Sequence, residues 1–158
     1  MGTTLGTAAR FHHVSLSVAD LDAQQAWYRQ ALGLAEIVEQ FELPEPATRT
    51  VVLRGPGGLQ VELIERSGSA RDRPPGDPLS AALARGYGHW AIAVPDLERA
   101  FAGLTAVGGR AVWPPADAVS PGARFAYVAD PEGNLIELIQ PAQHGSSDPA
   151  VDSGRRRS

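Results

Sequence analysis

The chain has no cysteine, which rules out disulfides, thiolate metal sites, iron–sulfur clusters and a cysteine nucleophile. Lysine is also missing, since all 14 basic residues are arginine. Schiff-base chemistry and a phosphate-loop lysine are therefore excluded. No apolar run approaches the roughly 20 residues needed to cross a bilayer. The N-terminal MGTTLGTAAR has neither a basic start nor an apolar stretch, so a secretory signal is not expected there and a cytoplasmic location is. The formal net charge of -4 and the lack of a basic stripe argue against a nucleic-acid partner. Any metal ligands must be His, Asp or Glu, a donor set that points away from a structural zinc site.

What is present is an internal repeat. His13-Val14-Ser15-Leu16-Ser17-Val18-Ala19-Asp20-Leu21 recurs 76 residues later as His89-Trp90-Ala91-Ile92-Ala93-Val94-Pro95-Asp96-Leu97. Gly58-Leu59-Gln60-Val61-Glu62-Leu63-Ile64 recurs 75 residues later as Gly133-Asn134-Leu135-Ile136-Glu137-Leu138-Ile139. Two motif pairs at nearly one offset indicate a duplicated unit of about 75 residues.

Each half predicts the order βαβββ. His12–Val18 alternates as a strand does, Asp20 stands where a helix N-cap belongs, and Leu21–Leu32 is amphipathic and closed by Gly33. Strands are expected near Glu36–Leu43, Thr48–Arg54 and Leu59–Glu65. In the second half the helix is Leu97–Val107 after Asp96, closed by Gly108-Gly109, with strands near Arg110–Trp113, Arg124–Ala129 and Leu135–Gln140. Turns are marked at Pro44-Glu45-Pro46, Gly55-Pro56-Gly57-Gly58, Pro114-Pro115 and Asp130-Pro131-Glu132-Gly133. The domain is drawn at 10–141, with modules at about 10–66 and 86–141 and a Gly/Pro-rich linker at 67–85 that includes a short helix near Pro78–Ala84. Segment 1–9 is expected to be flexible, and 142–158 is too polar to bury and is expected to be disordered.

The period of two sets Val14, Leu16 and Val18 on one strand face and His13, Ser15 and Ser17 on the other. It separates Trp90, Ile92 and Val94 from His89, Ala91 and Ala93 in the same way. Glu62 and Glu137 each interrupt an apolar strand, where an unpartnered buried carboxylate would be costly. His13, Glu62, His89 and Glu137 are therefore expected to converge as ligands of one divalent cation (Ni, Co, Mn, Fe or Zn), leaving two positions open. His12 should point to the opposite face from His13. Trp113 is a candidate for the cavity mouth or, equally, for the core, and Arg124 for contact with an anionic substrate, unless it is simply a surface arginine. Trp27-Tyr28 should pack in the core, and Asp130–Asn134 should be a structural turn.

The stretches FHHVSLSVADLDAQQAWYRQALGL, GLQVELI, GHWAIAVPDL and DPEGNLIELI resemble the vicinal-oxygen-chelate superfamily of glyoxalases, bleomycin-resistance proteins and dioxygenases. The resemblance spans about residues 11–140. It implies an α+β fold of two tandem βαβββ modules forming a cupped, mixed-sheet barrel around a metal. It also implies a homodimer and a small substrate that chelates the metal through neighbouring oxygens. The His/Glu/His/Glu set is similar to that of bacterial glyoxalase I. It implies a lyase or isomerase acting through an enediolate or enolate, with Glu137 or Glu62 moving the proton. An iron-dependent extradiol dioxygenase and a drug- or metabolite-binding protein are the alternative members.

Overall fold

Asp20 and Asp96 begin the two long helices by the same device. In the computed structural model, which describes residues 9–70 and 76–142, each carboxylate accepts the backbone N–H three residues on, from Ala23 and Arg99 respectively. The segments expected to be flexible or disordered lie outside the described residues, except for Ala9 and Ala142.

The first module runs β1 (Val14–Val18), α1 (Leu21–Leu32), β2 (Glu36–Leu43), β3 (Thr48–Arg54) and β4 (Gln60–Arg66). A short helix α2 (Pro78–Ala81) lies in the connection. The second module runs β5 (Trp90–Ala93), α3 (Leu97–Ala106), β6 (Arg110–Asp117), β7 (Arg124–Ala129) and β8 (Leu135–Gln140). The two four-stranded mixed sheets have the same order, β1-β4-β3-β2 and β5-β8-β7-β6, with the first strand of each parallel to the last. The architecture is α+β, in two cupped modules whose sheets do not close into one barrel.

Helices and sheets meet on the face that the alternation predicts. Val18, Val61 and Leu63 of the first sheet and Ala126, Val128, Ile136 and Leu138 of the second join Leu21, Tyr28, Leu97 and Leu104 in one buried cluster. That cluster spans both modules, so burial of apolar surface holds them together. Trp27 and Tyr28 lie in it, as expected. Gly33 closes α1 with a φ of 66°, in the left-handed region that a side chain would resist.

Five local expectations are corrected. The first strand begins at Val14 rather than His12, β4 is shifted one residue onward to Gln60–Arg66, and α2 ends at Ala81. α3 ends at Ala106, with Val107 as its cap. Pro114-Pro115 does not turn the chain but lies inside β6. That strand is at the sheet edge and its ladder is irregular between Trp113 and Ala116, so neither proline removes a needed hydrogen bond.

The link between modules is polar as well as apolar. The turn between β7 and β8 reaches across to α1: the Glu132 carboxylate accepts the N–H groups of Ala19 and Asp20 at 2.8–3.0 Å. Asp130, 1% exposed, accepts the Tyr28 hydroxyl at 2.8 Å and both the backbone and side-chain N–H of Asn134. The turn is structural, as expected, and it also ties one module to the other.

Candidate functional site

Residues 14–17 and 90–93 alternate half-buried with exposed, so Ser15, Ser17, Ala91 and Ala93 occupy the helix-free faces of their sheets. Strand pairing sets Ser15 beside Glu62 and Ala91 beside Glu137. Each Glu consequently emerges on the helix-free face, one strand in from its own His. His13 Nε2 lies 3.5 Å from Glu62 Oε2, and His89 Nε2 lies 3.2 Å from Glu137 Oε2. The carboxylate side chains are 19% and 18% exposed, and the imidazoles 33% and 34%. The near identity of these values shows the repeat acting on side chains as well as backbone.

Among the described residues no three of His, Asp and Glu come together as a metal-holding group. Within this single chain the four expected ligands stand as two matched pairs. The reason is topological. Each Glu belongs to the strand next to its own His, whereas the modules meet through α1, α3 and the β7–β8 turn rather than through their helix-free faces. Each pair nevertheless suits a cation. Neighbouring donors on an octahedral ion with bonds of about 2.1 Å stand about 3.0 Å apart, close to both His–Glu separations.

His13 and His89 share a cleft of about 960 Å³ between the modules, lined also by Phe11, Ser15, Tyr87 and Asn134. The first strands of the two sheets border it.

The surroundings of the two pairs differ. His12, expected on the opposite face, turns its ring onto His13, with the Nδ1 atoms 2.8 Å apart. Both residues precede the first ladder, where strand alternation no longer dictates direction. One ring must donate and the other accept, which leaves His13 Nε2 toward Glu62. At the second pair the added group is Tyr127, on β7 directly opposite Glu137. Its ring meets His89 edge to face at 5.2 Å. Burial pushes the Tyr127 hydroxyl up to about 12, with its hydrogen bond to Glu137 and that carboxylate's charge adding to the effect.

Sequence reasoning missed Tyr127, although a signal was present. A hairpin centred on the Pro131-Glu132-Gly133 turn sets residue 127 against 137. Trp113 lies on β6 opposite Tyr127 and packs on Phe125, whose ring continues to Tyr127, so it flanks the second pair. Arg124 is not brought to the site. Its guanidinium reaches Glu98 on α3 and Asp117 at the end of β6. The hydrogen bond to Glu98 raises the guanidinium further and holds the Glu98 carboxyl below its usual range. Arg49, at the equivalent place in the first module, likewise pairs with Asp22 on α1. The repeat thus identifies both arginines as straps from sheet to helix.

A family model described as the Glyoxalase/Bleomycin resistance protein/Dioxygenase superfamily matches residues 10–138. A lactoylglutathione lyase of Arabidopsis thaliana is 30% identical over 134 residues, 83% of this chain but 44% of its own length, so the chain spans under half of that relative. A probable lactoylglutathione lyase of Vibrio cholerae is 32% identical over 85% of this chain and 92% of its own. The human mitochondrial methylmalonyl-CoA epimerase is 32% identical over 83% and 73% respectively. Among solved structures, glyoxalase I of Zea mays superposes with a TM-score of 0.66 at 25% identity, covering 84% of this chain and 45% of that one.

Proposed function

Since the chain belongs to the Glyoxalase/Bleomycin resistance protein/Dioxygenase superfamily, we propose that it is a divalent-metal-dependent lyase or isomerase that moves a proton beside a carbonyl of a small, oxygen-chelating substrate. The observation that carries this reading is the repeated His–Glu pair, His13 with Glu62 and His89 with Glu137, at near-equal separation and exposure. Relatives named as a lyase and as an epimerase support the reaction class.

A bound cation would supply electrophilic stabilisation for the charge that develops on the substrate carbonyl oxygen. The remaining work falls to this chain. His13 and His89 hold position through their Nε2 atoms, and Glu62 and Glu137 supply the anionic donors. One of the two carboxylates takes the proton from the carbon beside the carbonyl and returns it to a neighbouring position. The two pairs act together when a second copy of the chain brings the first pair of one protomer to the second pair of its partner. A homodimer is favoured by β2, an edge strand exposed along its whole length that presents Ile37, Val38, Phe41 and Leu43 at 39–47% exposure.

The test is metal analysis of the purified full chain together with sedimentation. One divalent ion per site and a dimer are expected. S-lactoylglutathione and methylmalonyl-CoA, the compounds named by the relatives, are then offered in deuterated water as probes of C–H exchange. A monomer that takes up no Ni, Co, Mn, Zn or Fe would sink the reading.

A further inference from the structure

The repeat extends two residues ahead of each candidate histidine. With His13 set over His89, Phe11 falls over Tyr87, so both halves place an aromatic ring just before the imidazole. Both rings line the cleft between the modules, and both stand at its rim, Phe11 78% exposed and Tyr87 99% exposed. A large ring left in water forgoes the burial that would stabilise it. Two of them at matched rim positions mark a surface that gains by being covered. The wall behind them is uncharged. Among the described residues no Arg, Asp or Glu side chain lines the cleft. Leu16, Trp90 and Leu135 supply apolar surface, and Ser15, Ser80 and Asn134 supply hydrogen-bonding groups alongside the two histidines.

We propose that this cleft selects an uncharged, ring-bearing hydroxycarbonyl, with its ring against Phe11 and Tyr87 and its oxygens directed inward toward the histidines. The hydroxycarbonyl end rests on the metal reading above, whereas the ring's seat rests on the cleft alone. Apolar surface with a few placed polar groups is the ordinary make-up of a small-molecule site. Offset or edge-to-face contact with an aromatic ligand gives each rim ring a partner and removes it from water. A carboxylate or phosphate would lose its hydration against this wall with no guanidinium to replace it. Glutathione and CoA thioesters carry such groups, so the cleft favours a smaller, neutral compound. Each aromatic lies two residues from its histidine and accompanies it when a second copy of the chain brings the pairs together.

The test compares hydroxyacetone with α-hydroxyacetophenone, two uncharged probes that share the same vicinal oxygens and differ in a methyl against a phenyl group. Binding to the full-length chain, with and without Co(II), is measured by calorimetry, beside S-lactoylglutathione as the anionic probe. α-Hydroxyacetophenone should bind at least about tenfold more tightly than either of the others. Phe11→Ala and Tyr87→Ala should each narrow that gap, and the double variant should remove most of it while hydroxyacetone binding stays unchanged. Both side chains are exposed, so neither substitution disturbs the core. Leu83→Ala, at an apolar residue 89% exposed that does not line the cleft, should change nothing and controls for general stickiness. A phenyl preference that survives the double variant would overturn the inference. So would equal affinity for the two neutral probes, no detectable binding of the phenyl probe, or S-lactoylglutathione bound as tightly as α-hydroxyacetophenone. Failure of the proposed function looks different. A chain that takes up no cation, yet keeps a phenyl preference dependent on Phe11 and Tyr87, would overturn the metal reading and the hydroxycarbonyl end while supporting the ring's seat.

Discussion

The two modules are copies in what the backbone requires and differ in what surrounds the candidate ligands. Both begin a helix with an Asp cap, and both use the fourth strand of the sheet to receive the helix's first N–H. Leu21 donates to Glu65 and Leu97 donates to Gln140, 75 residues apart in acceptor position. Both strap sheet to helix with an arginine. Around the two His–Glu pairs and in the turns before the last strands, the likeness stops. His12 contacts the imidazole of the first pair, and Tyr127 contacts both members of the second. The turn before the last strand is Gly-Pro-Gly-Gly in the first module. In the second it carries two acids that cross to the first. The difference teaches that a duplicated fold keeps equal halves where geometry is shared, and diverges where one half must do something alone.

The comparison breaks most severely at the imidazoles. His13→Ala combined with His89→Ala removes one donor from each pair, and stoichiometric metal and turnover should both be lost, turnover by about 100-fold or more. Each single variant should retain part of the affinity if the modules contribute alike. Retention of one metal per site by the double variant, after chelator treatment, would show that the pairs are not the ligands.

Next in size is the asymmetry of the turns. Asp130→Ala deletes a buried acceptor and leaves the Tyr28 hydroxyl and Asn134 without it, at a cost of about 3 kcal/mol. Denaturant unfolding should show this as a fall in midpoint. The same contact predicts an alkaline limit. Burial, and then the nearby Asp130 charge, raise Tyr28 well above its ordinary 10.0. A raised acid favours the folded state fully below the unfolded value. That contribution is therefore complete below pH 10 and declines as pH rises beyond it. Tyr28→Phe should flatten the loss of stability above pH 10, and an unchanged alkaline slope would contradict the assignment.

The caps should be nearly equal. Asp20→Ala and Asp96→Ala each remove one accepted N–H at a helix start and should each cost about 1 kcal/mol in thermal or denaturant unfolding. Both caps were legible in the sequence, because capping is a local rule and the same residue preceded both periodic segments. The bounds of α1, β2, β3, β7 and β8 were legible for the same reason. The edge strand through Pro114-Pro115 was not, since the cost of a proline depends on whether its neighbour needs the missing N–H. That is fixed only by strand order. The four candidate residues followed from alternation plus repetition, while their grouping within one chain as two pairs follows from how the modules dock, which no local pattern encodes. The direction of the His12 ring was misread because the ladder, and with it strict alternation, begins two residues later.

The smallest effect concerns Arg124. As a substrate contact its removal would raise KM, but in the structure it shares the job of Arg49, on the helix side of the second sheet. Phe125 and Tyr127 show where the other face lies, because Tyr127 reaches Glu137 while Ala126 and Val128 enter the core. Arg124→Ala should therefore lower the melting temperature slightly, and less at high salt, since its partners Glu98 and Asp117 are 59% and 92% exposed and their pairing is screened. Arg49→Ala should behave alike, with Asp22 as the released carboxylate. Neither substitution should change KM or metal retention. An increase in KM for Arg124→Ala alone would mean that the guanidinium leaves Glu98 when a substrate binds. The two straps would then have diverged in function.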